Sequence, residues 1–167
     1  MLANSGAAPS AVRSHEELFA YWASLRRAGR LPGRPDLNPG DFKRHLPTIS
    51  LIDVKGTAAD PRRDYRMRLA GTGLYSLYGG EMTGKMIDEV FTQDAADYWR
   101  TQLDQVVCER RPVVGYHNLA WRGAPHLSVL WLRLPLARDG RTVDMVLGYD
   151  ALVGLQGGTP ASGIRAS

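Results

Sequence analysis

The sequence predicts an α+β domain: an antiparallel sheet with short helices over one face and an amphipathic N-terminal helix on the other. Three observations carry this. Apolar residues repeat at helical spacing near the N-terminus, the middle of the chain holds three short helical stretches after two strand-like runs, and the last third is strand with two turn signals. The chain has 167 residues, 44% of them hydrophobic and 23% charged, which is enough for one domain with a packed core.

The first helix is expected over 14–29. Ser14 followed three residues later by Glu17 has the form of a capping box, Leu18, Tyr21, Trp22 and Leu25 make one apolar stripe, and Gly29 ends the helix. Residues 1–13 and 156–167 are small and polar and read as flexible tails, leaving a domain over 14–155. Four prolines between Leu31 and Pro47 forbid a long helix there and leave room for one short turn starting at Asn38 or Asp41. Thr48–Lys55 is β-branched and aliphatic. Asp64–Ala70 alternates, with Tyr65, Met67 and Leu69 on one side and Arg66 and Arg68 on the other, as in a half-buried hairpin partner. Leu74, Leu77 and Tyr78 then suit a short helix closed by Gly79-Gly80. Thr83 is placed to cap a second, and Asp94 a longer third with Trp99, Leu103, Val106 and Val107 inward, stopped by Pro112.

The remaining strands have a register that turn chemistry predicts. A two-residue turn at Asp139-Gly140 sets Leu136 opposite Val143, Leu134 opposite Met145, Leu132 opposite Leu147 and Leu130 opposite Tyr149. A turn at Gly123-Ala124 sets His117 opposite Leu130 and Leu119 opposite Ser128. Together they predict one inner wall in which His117, Leu130 and Tyr149 form a row across three strands, beside Ser128 and Leu132. The other face, with Tyr116 opposite Trp131, is also apolar and needs a cover. Leu18, Tyr21, Trp22 and Leu25 of the first helix are the expected cover, in the same chain or across a homodimer.

Composition excludes several classes. No apolar run approaches the roughly 20 residues of a membrane span, and the N-terminus lacks the pattern of a secretory signal. A single cysteine, Cys108, allows no internal disulfide, so a reducing cytoplasm is the expected location. The net charge is +4, and Arg26, Arg27, Arg30 and Arg34 cluster locally. No nucleic-acid motif accompanies them, so they read as a solvated helix end, and neither nucleic acid nor membrane is an expected partner.

The stretches YWASLRRAGRLPGRPDLNP from Tyr21, HLPTISLIDV from His45, YRMRLAGTGLYSLYGGEMTGK from Tyr65 and RLPLARDGRTVDMVLG from Arg133 resemble a bacterial subfamily of single-domain PAS proteins. The most specific part is Arg68-Leu69-Ala70-Gly71-Thr72 followed by Tyr78-Gly79 and Thr83-Gly84. The resemblance covers roughly residues 14–155. It implies a five-stranded antiparallel sheet with helices over one face and a sensory or protein-interaction role, and it supplies no ligand.

A sheet roofed by short helices leaves room for a small-molecule site with apolar walls and a few polar groups. The candidate wall residues are His117, Tyr149, Ser128, Trp99, Tyr78, Met86, Leu130 and Leu132. His117 reads either as a buried histidine with one local partner or as a ligand contact. An inward imidazole would also suit haem iron, but haem sites of this fold often use a histidine on the long helix, which here has none. A flavin photoadduct needs a cysteine early in the helical region, and none stands between Gly71 and Val90. The cofactor is therefore left unknown, with haem and flavin disfavoured. Cys108 has Arg110 and Arg111 nearby but no placed base, and reads as a partly buried inert thiol. Gly71-Thr72-Gly73 lacks the lysine of a phosphate loop, and the four histidines show no metal-ligand spacing.

The expected function is a non-catalytic sensory or interaction module. It binds a small apolar or amphipathic molecule between sheet and helices and signals to a separate protein. The alternatives are a purely structural adaptor with a filled core, or a small isomerase- or dehydratase-like enzyme, which the absence of an inward carboxylate argues against.

Overall fold

A computed structural model describes residues 9–56, 60, 62–154 and 164–165. The chain runs α1 (Pro9–Ser24), β1 (Ile49–Lys55), β2 (Asp64–Ala70), α2 (Thr72–Tyr78), α3 (Ile87–Val90), α4 (Gln93–Glu109), β3 (Val113–Leu119), β4 (Ala124–Leu136), β5 (Met145–Gly154) and β6 (Ile164–Arg165). Five antiparallel strands lie in the order β2-β1-β5-β4-β3, and the two-residue β6 adds in parallel beside β3. The expected tails fall largely outside the described residues.

Helix α1 starts earlier than the capping-box reading allows. Ala11, His15, Leu18 and Trp22 form its buried stripe, and seating the first two against the sheet draws the helix back to Pro9, a residue well suited to a first turn. Ser14 is thus interior and caps nothing, while Glu17 pairs with Arg44. The helix also ends sooner than Gly29. Ser24 donates its hydroxyl to the Tyr21 carbonyl at 2.6 Å, diverting an acceptor from the helical ladder. The proline-rich segment forms a short turn at Arg34–Asp36 and a 3-10 run at Pro39–Thr48 capped by Asn38.

Strands β1 and β2 pair as expected, with one correction. A bulge between Leu51 and Ile52 of the pairing takes Arg68 out of register, so Leu69 leaves the side of Tyr65 and Met67 and stands 44% exposed. Gly79, in the left-handed region, closes α2. Thr83 does not cap α3, because Glu89 reaches back to the Met86 amide at 2.7 Å, and Thr83 accepts from the Ala70 amide instead. Thr92 precedes α4, and Asp94 lies within its first turn, where a carboxylate favours the helix dipole. The helix ends at Glu109 through a left-handed Arg110, before Pro112. Arg100 ties α4 to Asp64 and Asp88 at 3.1 and 2.7 Å.

Both turns in the C-terminal strands differ from expectation, with different consequences. Asp139 accepts from the amides of Arg141 and Thr142, and this widens the β4–β5 turn. Leu134 therefore faces Leu147, Leu132 faces Tyr149 and Leu130 faces Ala151. That slide of two residues preserves every side chain's face. The β3–β4 connection is a 3-10 turn, Ala120–Arg122, with a bulge that leaves Pro125, His126 and Leu127 out of the β3 ladder, the Pro125 carbonyl accepting from Asn118. His117 now faces Val129 and Tyr116 faces Leu130, a slip of one residue that exchanges the faces of β3. The expected row of His117, Leu130 and Tyr149 does not form.

Both faces of the sheet are covered within the chain. Helices α2–α4 lie over the side of β4 that bears Val129, Trp131 and Arg133. Helix α1 lies over the side that bears Leu130, Leu132 and Leu134, donating from Trp22 Nε1 to the Pro135 carbonyl at 2.8 Å. The residues expected at a homodimer interface are thus used internally. Leu18, Trp22 and Trp131 are buried, Tyr21 and Leu25 pack on the core, and Tyr116 packs on the cluster of Ala11, Leu130 and Val153. Among the described residues no helix is long and apolar enough to cross a membrane.

Candidate functional site

The side of the sheet beneath α2–α4 collects the domain's most unusual chemistry. Strands β4 and β5 each carry one charged residue in an otherwise apolar run. Arg133 and Asp150 meet there, with hydrogen bonds of 2.9 and 3.3 Å, and only 4% and 1% of their surfaces are exposed. Burial opposes the charge on both. On Arg133 the neighbouring carboxylate outweighs it and raises the guanidinium's pKa, while burial pushes Asp150 up against the pull of Arg133. The guanidinium also lies over the Trp99 ring at 4.6 Å.

His117 projects from β3 into the same space and is fully buried. Its ring stacks on Tyr98 with centroids 4.4 Å apart and planes 10° from parallel, and Trp99 lies 5.0 Å away. Burial first, and then the Arg133 charge, push its pKa down to about 3, so the imidazole is neutral at physiological pH. Tyr78, at the end of α2, packs edge-on to Phe91 and Trp99 and stacks with Trp121 at 6.3 Å. Its hydroxyl stands close enough to Arg133 and Asp150 to feel both charges, yet makes no hydrogen bond of ordinary geometry, and its burial raises its pKa well above the usual value. Two glycines make room for the crowd. A Cβ on Gly115 would come within 2.5 Å of the Trp131 ring, and one on Gly148 within 2.3 Å of the Ser50 hydroxyl.

The defining feature is what these groups lack. Both nitrogens of His117, the Tyr78 and Ser50 hydroxyls, Trp99 Nε1, Trp121 Nε1 and Arg133 Nε are buried with no hydrogen-bond partner among the described residues. Native proteins leave few such atoms, because each costs roughly 1–3 kcal/mol.

Of the residues expected here, His117, Trp99 and Tyr78 come together. Met86 is half-buried and bridges to Arg66 at the edge of β2. Tyr149, Leu130, Leu132 and Ser128 lie on the opposite face, because of the one-residue slip in β3 and because both faces of β4 are apolar and covered. There Tyr149 packs between His15 and His45, at 5.5 and 5.4 Å. His15 Nε2 bonds the Leu130 carbonyl at 3.1 Å, and its burial pushes its pKa down to about 4. His45 lies 3.2 Å from Glu17 and also accepts from Arg44 Nε at 3.3 Å. Its burial, followed by the Arg44 charge, lowers its pKa, so the neutral acceptor form fits better than an ion pair with Glu17.

The residues the sequence reading missed are Arg133, Asp150, Tyr98 and Trp121, while Trp131, expected beside Tyr116 under the first helix, lies on this side instead, against Tyr98 and Trp99. A single charge within each of two adjacent apolar strands, LWLRLPL and VLGYDAL, was the available signal. Cys108 is exposed rather than partly buried, and Arg63 donates to its sulfur at 3.3 Å. No three metal-ligating side chains gather among the described residues.

No curated protein matches the chain. Among solved structures, it is similar to a sensory box sensor histidine kinase from Vibrio cholerae, at 19% identity over 68% of this chain and 85% of that one, with a TM-score of 0.48. It is also similar to a LOV protein from Rhodobacter sphaeroides, at 16% identity, 85% and 69% coverage and a TM-score of 0.45. The PAS domain of an HTR-like protein from Haloarcula marismortui matches at 21% identity, 62% and 81% coverage and a TM-score of 0.37. The PAS_5 family, a PAS domain, matches residues 10–151. With the match spanning every element from α1 into β5, the chain belongs to the PAS domain family.

Proposed function

We propose that this PAS domain is a non-catalytic sensor that holds a small molecule between the sheet and helices α2–α4 and passes the binding event to a separate protein. One observation supports the reading above the rest: the gathering of buried, unpartnered polar atoms around His117, Tyr78, Trp99 and Arg133. A core selected for packing alone would have apolar groups there. A ligand would supply the missing partners.

Acid–base catalysis fits poorly. Against expectation a carboxylate, Asp150, does face inward, but it is tied to Arg133, and burial pushes the His117 pKa down to about 3, far from the range a base at neutral pH needs.

Strand β4 offers a route for the signal. Trp131 and Arg133 face this ring-lined cluster beneath α2–α4, called the chamber below, while the alternating Leu130 and Leu132 face α1, which is tied to the strand through His15 and Trp22. A ligand that favours one arrangement of β4 by a few kcal/mol would shift how α1 sits. Phe19, 47% exposed, is the large apolar side chain that α1 presents outward. Assembly as a homodimer through that side belongs to the same proposal, and light scattering of wild type against Phe19→Glu tests it: a mass that does not change removes this surface.

A structural adaptor is the second reading, favoured by the close ring packing around Trp99. Native mass spectrometry of the full chain, purified without denaturation, separates the two. A retained small molecule supports sensing. A bare chain that also takes up nothing from a cell extract supports the adaptor.

A further inference from the structure

The chamber's unpaired atoms also specify the chemistry of an occupant, an inference that rests on the sensor reading. Setting Trp121 aside, Trp99 Nε1 and Arg133 Nε can only donate. The Tyr78 and Ser50 hydroxyls can donate or accept, and a neutral His117 offers one donor and one lone pair. Donors therefore outnumber acceptors, and the surplus calls for a ligand rich in acceptors.

Charge narrows the class. Arg133 and Asp150 already balance each other, and His117, Tyr78, Trp99 and Ser50 are neutral. A net charge on the ligand would enter a buried space with no counter-ion. Shape narrows it again. Tyr98 and His117 lie nearly parallel, and Trp131, Phe91 and Tyr78 surround Trp99 with centroids 5.4, 6.1 and 6.5 Å away. These rings pack directly on one another, so a flat group enters only in exchange for a resident ring. Trp121 is the candidate for exchange. It sits on a short 3-10 turn, is only half-buried, and packs on Tyr78 and Phe91.

We infer that the chamber binds an uncharged, planar one- or two-ring heteroaromatic molecule carrying hydrogen-bond acceptors, which enters as Trp121 swings aside. Stacking between the walls supplies affinity, and the orphaned donors choose acceptors over plain hydrocarbon.

Four probes of similar size test this on the full chain by titration calorimetry: quinoxaline, naphthalene, 2-naphthoate and 1-naphthylmethylammonium. Quinoxaline is expected to bind at least tenfold tighter than each of the others. Tyr78→Phe and His117→Phe should each erode that preference, and Trp121→Ala should raise affinity for quinoxaline severalfold. Equal affinity for all four overturns the acceptor argument and leaves the sensor reading standing. A preference for either charged probe overturns the charge argument. No binding of any probe, even to Trp121→Ala, together with a bare purified chain, overturns both.

Discussion

The two faces of one sheet solve the burial of polar groups in opposite ways. Beneath α1, polar side chains mostly find partners: His15 meets the Leu130 carbonyl, Trp22 the Pro135 carbonyl, and Tyr21 accepts from the Asn38 amide at 2.9 Å. Among the described residues the exceptions there are His15 Nδ1 and the Tyr116 hydroxyl. Beneath α2–α4 Arg133 pairs with Asp150 and Trp131 Nε1 donates to the Tyr98 hydroxyl at 2.9 Å, but more buried polar atoms are left without a partner among the described residues. A satisfied face holds the fold together, whereas an unsatisfied face gives up stability that a ligand can restore.

Breaking the ion pair should give the largest effect. Asp150→Ala strands a buried guanidinium and is expected to cost about 3–5 kcal/mol in urea unfolding. On the other face, Glu17→Ala removes the partner of a mostly exposed Arg44 and should cost under about 1 kcal/mol. Similar losses from the two variants would erase the contrast between the faces.

Acid sharpens the comparison next. The folded pKa of His15, near 4, lies below the unfolded value of 6.5, so the unfolded chain takes up the proton first. The stabilising contribution of neutral His15 is complete above pH 6.5, falls as the pH drops below it, and is gone by about pH 4. The gap is worth roughly 3 kcal/mol. His117 follows the same sign over a window that reaches down to about pH 3. His15→Gln should lose the α1-side share of this acid sensitivity, as read by urea midpoints at pH 7 and pH 4. An unchanged slope would mean that His15 titrates freely in the folded state.

Gly115→Ala comes third. Its methyl group would collide with the Trp131 ring, and the expected cost is about 1–3 kcal/mol, with a change in near-ultraviolet circular dichroism from the disturbed indole. Tyr78→Phe gives the smallest shift and the most telling sign. Removing an unpartnered buried hydroxyl should leave the ligand-free protein as stable as before or up to about 1 kcal/mol more stable, while ligand affinity falls. A clear loss of stability without ligand would reveal a structural partner for that hydroxyl.

Much of this architecture was legible in the sequence, and the failures have physical causes. Leu18 and Trp22, Tyr65 and Met67, and the glycines after Tyr78 mark their elements by periodicity and turn chemistry alone. The chamber was harder to read because β4 is apolar on both sides, so alternation could not say which side faced the helices. Face assignment then depended on the β3–β4 register, and the bulge near Pro125 moved it by one residue. That single step placed His117 with Trp99 and left Tyr149 to His15 and His45. The β4–β5 slide of two residues left the faces of those strands unchanged.

The most direct test is a high-resolution crystal structure of the full chain purified without denaturation, with attention to the space between Tyr78, Trp99 and His117. The sensor account expects non-protein density within hydrogen-bonding distance of at least two of these side chains and a shifted Trp121. A chamber closed by its own rings, with the same polar atoms bonded to one another or to water alone, would contradict it.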